Sequence, residues 1–191
     1  KIDLNTGKKV ARFETPVDAS SGNRHWGYVA HADGVLYGSV LNREHTVSPR
    51  YRGIRLRTES VLLFALDAET GDVKWRYQPD HSIRNNAIAI ACGRVYLIDR
   101  ALAMADRITD PKPDGKHRPL LQPGEHPGGT LVALDARSGA VLWKNGKEIF
   151  GTQLAVSTDH RVLLMYYQGV KHKFFKLPSE IGGRMAAFDT A

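Results

Sequence analysis

An all-β fold built from repeated four-stranded antiparallel sheets is what this sequence predicts, on three observations. A twelve-residue segment recurs along the chain, short β-rich runs bounded by turn residues flank its copies, and the composition is that of a folded domain, with 42% hydrophobic and 25% charged residues. The recurring segment is Phe64-Ala65-Leu66-Asp67-Ala68-Glu69-Thr70-Gly71-Asp72-Val73-Lys74-Trp75, echoed by Val132-Ala133-Leu134-Asp135-Ala136-Arg137-Ser138-Gly139-Ala140-Val141-Leu142-Trp143. A degenerate copy opens the chain as Ile2-Asp3-Leu4-Asn5-Thr6-Gly7-Lys8-Lys9-Val10, and the start of another stands at Met185-Ala186-Ala187-Phe188-Asp189-Thr190.

Each copy reads as a hairpin. An apolar strand ends at Asp, whose carboxylate can accept from amides two residues on; Thr or Ser adds a weaker bond of the same kind, and Gly supplies positive φ without a Cβ penalty. The tryptophan four residues beyond Gly needs a flat, side-chain-poor surface for its ring, which the Ala and Gly positions of a neighbouring unit offer. Ala65, Asp67, Gly71 and Trp75, with Ala133, Asp135, Gly139 and Trp143, are therefore the expected unit-to-unit docking positions.

The flanking runs complete the unit. Trp26 to Ala30 and Val35 to Val40 surround a turn at Asp33-Gly34; Asn86 to Ala91 and Arg94 to Ile98 surround Cys92-Gly93; Gln153 to Ser157 and Arg161 to Tyr166 surround Asp159-His160. Four antiparallel strands per unit make a propeller blade. The expected division is a blade remnant at 1–13 and blades at about 25–77, 85–144 and 151–189. Propellers close with four to eight blades, so about three blades form a fragment of a ring, and further blades of the same polypeptide are expected. The alternative, that the strand Lys8 to Phe13 pairs with the third blade and closes a small ring, sits poorly with that blade count.

The spacing Ala-x-Asp-x-x-Thr-Gly-x-x-x-Trp resembles the tryptophan-docking motif of the PQQ-type propellers, the family of the quinoprotein alcohol dehydrogenases and the BamB-type outer-membrane assembly lipoproteins. Residues 65–75 fit it throughout, residues 133–143 fit with Ser for Thr, and Ala11 stands where the first copy would carry Trp. The resemblance implies a bacterial protein of the periplasm, cell surface or secreted space; the leading Lys1 to Asn5 has no signal-like layout.

Function is sought in the inserts. Asp3, Asp67, Asp135 and Asp189 are 64, 68 and 54 residues apart, against roughly 40 to 50 for blades of other propellers. The excess falls between the second and third strands, at about 42–58, 100–128 and 168–182, and alternating strand direction brings these connections to one face. Residues 42–58 carry Arg43, Arg50, Arg52, Arg55 and Arg57 against Glu44, a balance of +4, and residues 168–182 carry Lys171, Lys173 and Lys176 against Glu180, a balance of +2. These two balances hold most of the formal net charge of +7. A basic loop face on a rigid scaffold suits a protein with an acidic patch, an anionic polysaccharide or a headgroup surface; the alternative is that the arginines only keep the surface soluble. Nucleic acid fits less well, since Tyr51 alone interrupts the arginine run. Arg84 and Asn85 enter an innermost strand from the same face, where they line the axial mouth; the alternative is that Asn85 and Asn86 cap the loop.

Site chemistry is thin. Cys92 alone excludes a disulfide within the chain, and the eight histidines show no metal-ligand spacing. No run of apolar residues is long enough to cross a bilayer as a helix. No catalytic, metal or cofactor residue is assigned; Asp99 and Arg100, at a strand end, stand nearest to a ligand position. The first expectation is a noncatalytic scaffold binding a partner through its basic loop face. The resemblance keeps open a PQQ- and calcium-dependent oxidoreductase whose cofactor residues lie in other blades, and a secreted carbohydrate-binding or carbohydrate-active propeller stands as the third reading.

Overall fold

The computed structural model describes residues 1–17, 22, 25–43, 57–101, 128–166 and 185–190, all of them strand, turn or connecting segment. The strands are β1 (Trp26–Ala32), β2 (Val35–Leu41), β3 (Glu59–Asp67), β4 (Val73–Tyr77), β5 (Ile83–Ala91), β6 (Arg94–Arg100), β7 (Gly129–Asp135), β8 (Val141–Asn145), β9 (Gln153–Ser157), β10 (Val162–Tyr166) and β11 (Met185–Asp189). Their order gives an antiparallel blade β1–β2–β3–β4, a second β5–β6–β7–β8, and a three-stranded sheet β9–β10–β11. The all-β propeller fold predicted from the repeat is the one observed.

Tight turns hold the register of the first hairpin in each full blade. Asp33 and Gly34 both have positive φ, 49° and 72°, as do Cys92 and Gly93, 52° and 69°. That pair of left-handed residues is the two-residue turn whose twist matches the flanking strands. The equivalences follow from the ladders: Tyr37 pairs Ala65, Tyr96 pairs Ala133, and Leu164 pairs Ala187.

One feature differs from separate blades. The nine-residue β3 outruns the five-residue β4, and its first two residues bond to the early part of β5, Glu59 opposite Arg84 and Ser60 opposite Ile83. Blades one and two are thereby stitched into one ladder. The second strand run begins at Ile83 and not near Asn86, with a register shift between Ile83 and Ile88. Arg84 and Asn85 are strand residues, not loop residues, because Glu59 of β3 pairs with Arg84 and the preceding Thr58 accepts from the Asn85 amide.

Side chains alternate between two cores, as strand geometry requires. On β7, Val132 and Leu134 face blade one while Leu131 and Ala133 face the third sheet, and all four are fully buried. On β6, Val95 and Leu97 face blade one, Tyr96 and Ile98 the third sheet. A strand buried on both faces reads as an unbroken apolar run, which is what these segments are. Each such side chain contributes about 1.5–3 kcal/mol over an exposed one. On β3 the alternation continues, with Leu63 and Ala65 inward to blade two and Phe64 and Leu66 toward Phe13 and Val17 of the leading segment.

Candidate functional site

The motif turns are closed from within. Asp67 Oδ1 accepts from the amides of Glu69 at 2.9 Å and Thr70 at 3.0 Å, and Asp135 Oδ1 accepts from Arg137 at 3.1 Å and Ser138 at 2.8 Å. The hydroxyls of Ser138 and Thr6 donate to Asp135 and Asp3, each at 2.8 Å. Thr70 instead donates to Asp72 at 2.8 Å, a rival carboxylate where the second copy has Ala140. These bonds to the charged form hold all three carboxyls below their ordinary value of 3.8.

Trp75 is 7% exposed, and its ring lies on Gly139 so closely that a Cβ there would stand 2.6 Å from Cδ2. Its Nε1 donates to Ala136 O at 3.0 Å, and the Tyr37 hydroxyl donates to the same carbonyl at 3.3 Å. One seam further on, the Tyr96 hydroxyl reaches Thr190 O at 3.5 Å, joined there by Arg94 Nη1, while Trp143 stays half-buried with its ring 6.1 Å from that of Tyr96. The two tyrosines were missed in the sequence, although both stand three residues after a turn glycine, Gly34 and Gly93. Phe13 was missed too: it covers Gly71 as Trp75 covers Gly139, a Cβ at Gly71 falling 2.7 Å from its Cδ1. It lies two positions past Ala11, so an in-register comparison passes over it.

The inserts leave between β2 and β3, between β6 and β7, and between β10 and β11. Where the first two leave, polar side chains converge below the surface: Glu59 and Arg100 are fully buried, and Ser82, Arg84 and Asp99 are nearly so. Glu59 faces Arg84 across the ladder, and its Oε2 accepts from Asn42 Nδ2 at 3.4 Å. The Ser82 hydroxyl stands between Glu59 Oε2, 3.1 Å away, and Arg100 O, 2.9 Å away, so its proton serves one at a time. Arg84 Nη1 donates to Thr58 Oγ1 at 3.1 Å. Two acids and two arginines are thus buried together, and hydrogen bonds to their charged groups make such burial tolerable.

Beside this group runs a relay of short bonds. Ser39 Oγ and Ser60 Oγ are 2.6 Å apart, and Ser60 donates to Asn85 Oδ1 at 2.6 Å, so Ser39 donates to Ser60. Gly27 closes over it, since a Cβ there would meet Ser60 Oγ at 2.3 Å. Asn85 N donates to Thr58 O at 2.9 Å, and Asn85 Nδ2 to Arg57 O at 3.5 Å. The first insert re-enters the sheet clamped to blade two.

Asp99 and Arg100 act on the backbone. Asp99 accepts from the amides of Asp80 at 2.6 Å and His81 at 2.9 Å, and Arg100 Nη1 donates to Phe150 O and, at 3.0 Å, to Gly151 O. Arg100 thus braces the second blade to the segment opening the third sheet. Tyr77, 8% exposed, has its phenol pushed up to about 12 by burial, with Asp99 and Asp80 acting the same way. Glu59 was passed over in the sequence because a lone acid after an arginine run carries no pattern.

Of the residues singled out on the loops, Arg57 is exposed and has φ of 53°. Arg84 is 4% exposed and turned into the network, and Asn85 is half-buried in the relay. Arg50, Arg52, Arg55, Lys171 and Lys173 lie outside the described residues. Among the described residues no three His, Cys, Asp or Glu side chains gather as metal ligands would, and no helix is long and apolar enough to cross a membrane.

A family model described as outer membrane protein assembly factor BamB matches residues 15–146. Solved structures similar to the chain include a europium-containing methanol dehydrogenase, 15% identical with a TM-score of 0.42, covering 86% of this chain and 23% of that one. A quinohemoprotein alcohol dehydrogenase, ADHIIG from Pseudomonas putida HK5, is 15% identical with a TM-score of 0.41, covering 72% and 20%. BamB from Moraxella catarrhalis is 17% identical with a TM-score of 0.28, covering 86% and 47%. The chain thus spans less than half the length of each of these proteins. No curated protein matches it.

Proposed function

The chain belongs to the family of the outer membrane protein assembly factor BamB, and on that premise we propose that it is a noncatalytic propeller scaffold that binds a protein partner through its basic, insert-bearing face. In this reading the protein works in the periplasm or at the cell surface. Trp75 and Trp143, with the Ala, Asp and Gly positions of the two motifs, dock blade to blade, and further blades of the same polypeptide complete the ring.

The observation that carries the reading is the use made of the charged groups where the inserts leave. Asp99 and Arg100 spend their hydrogen bonds on main-chain groups, and Arg84 is turned onto Thr58. Such a network fixes the mount of a loop; it does not hold a group poised over a reacting atom. Arg57, carried where the first insert is tied to Asn85, meets an acidic surface at little further ordering cost.

Replacing Arg50, Arg52, Arg55 and Arg57 with Ser leaves the β-sheet circular dichroism unchanged and lowers the salt needed for elution from an anionic matrix to about half. Unchanged elution removes the electrostatic reading. Titration with PQQ and calcium, followed by absorbance and dye-linked alcohol oxidation, addresses the oxidoreductase reading, and saturable binding with turnover would replace the scaffold.

A further inference from the structure

Asn145 closes β8 and is the one asparagine of the chain that precedes a glycine; Asn5, Asn23, Asn42, Asn85 and Asn86 precede Thr, Arg, Arg, Asn and Ala. That pair has a chemistry of its own. A peptide nitrogen can attack the side-chain carbonyl of the asparagine before it, and the Cβ of the following residue is the main steric obstacle to that ring closure. Glycine has no Cβ.

The fold adds further conditions. Asn145 is half-buried and pairs with Leu131 at the end of the ladder, whereas Gly146, Lys147 and Glu148 are exposed and lie beyond it. A Cβ built on Gly146 meets nothing within 4 Å, so no packed neighbour keeps this peptide from turning toward the side chain before it. Asn145 Oδ1 accepts from the Lys147 amide at 2.9 Å, which folds the carboxamide forward over the Gly146 peptide and draws electrons away from Cγ, the atom to be attacked. Asn85 is the contrast: its Oδ1 accepts from Ser60 and its amide donates to Thr58 O, so side chain and main chain are both held to β3 and the residue before it.

We propose that Asn145 is a site of spontaneous deamidation in the folded chain, with water as the co-reactant. Gly146 N bonds to Asn145 Cγ and gives up its proton, the Cγ–Nδ2 bond breaks, and ammonia leaves, so that a cyclic imide joins the two residues. Water then opens the imide at Cγ to give aspartate, or at the main-chain carbonyl to give isoaspartate. Either product adds a negative charge. The isoaspartate also lengthens the main chain just ahead of Ile149 and Phe150, whose carbonyls accept from Gly129 N and from Arg100. The hold of blade two on the third sheet therefore slackens as the protein ages. The proposal is independent of the basic face.

The test ages the full chain in mildly alkaline buffer, folded and in urea. The chymotryptic peptide 144–150 is followed by mass spectrometry for a gain of about one dalton, and electron-transfer fragmentation separates aspartate from isoaspartate. The folded chain is expected to convert at a rate within about threefold of that in urea. Gly146→Ala, which the open space accommodates, is expected to slow conversion at least about tenfold in both. A folded chain that stays intact while the unfolded one converts overturns the proposal, because the fold then shields Asn145. Conversion that Gly146→Ala leaves unchanged overturns the cyclisation. In the isoaspartate fraction the amides of β9 are expected to exchange at least about threefold faster than in the fresh chain, and unchanged exchange overturns the slackened hold.

Discussion

Trp75 joins two kinds of interaction at one residue, a ring pressed on Gly139 and an indole N–H bonded to Ala136 O. Trp75→Ala removes both and leaves a void that β-strands fixed by their ladders cannot fill; the expected loss is about 3–5 kcal/mol in urea-induced unfolding. A loss below about 1 kcal/mol would show that the ring does not hold the seam. The turn aspartates make a different prediction. Hydrogen bonds from Thr70 and Glu69 hold Asp67 below 3.8, and those from Ser138 and then Arg137 do so for Asp135. A carboxyl depressed in the folded state stabilises it above the unfolded value, and that stability is lost as pH falls from 3.8 through the lower folded values. The urea midpoint therefore falls on acidification through this window, and Asp67→Asn with Asp135→Asn makes the fall shallower. An unaltered slope in the double variant would locate the acid sensitivity elsewhere.

Strands β6 and β7 are held from both faces, and the end of β6 is where the two largest demands meet: Arg100 closes the strand, is fully buried, and bonds Phe150 O and Gly151 O beyond the seam. Arg100→Met keeps the length of the side chain but leaves two buried carbonyls without their donor, an expected cost of about 3 kcal/mol. The amides of the third sheet should then exchange faster while those of β3 keep their protection, as hydrogen exchange would show; equal acceleration in both would deny the brace. The elements themselves were largely legible, because alternating apolar runs between Asp-Gly or Cys-Gly turns leave few other foldings. What escaped is informative. Ile83 to Asn85 read as a loop, since their strand character comes from partners far back in the chain, Ser60 opposite Ile83 and Glu59 opposite Arg84, 23 and 25 positions upstream. Arg84 read as a surface cation for the same reason. Long-range partners decide such residues, and local sequence does not carry them.

At the scale of the molecule, burial grades from the middle outward. Val95, Leu97, Val132 and Leu134 are fully buried between blades, while Leu164 is half-buried and Ala187 exposed on the outer side of the third sheet. Amides of β6 and β7 are expected to exchange last, about a hundredfold more slowly than those of β10. Uniform protection would mean that the three sheets open as one unit.

Both completed seams take a main-chain oxygen as acceptor, at Ala136 in one and Thr190 in the other. Every amino acid carries that oxygen, so the contact tolerates substitution at the accepting position as long as the turn keeps its shape. Duplicated units can therefore drift apart in composition without losing their grip on one another, which leaves evolution free to rewrite the connecting loops of each copy separately.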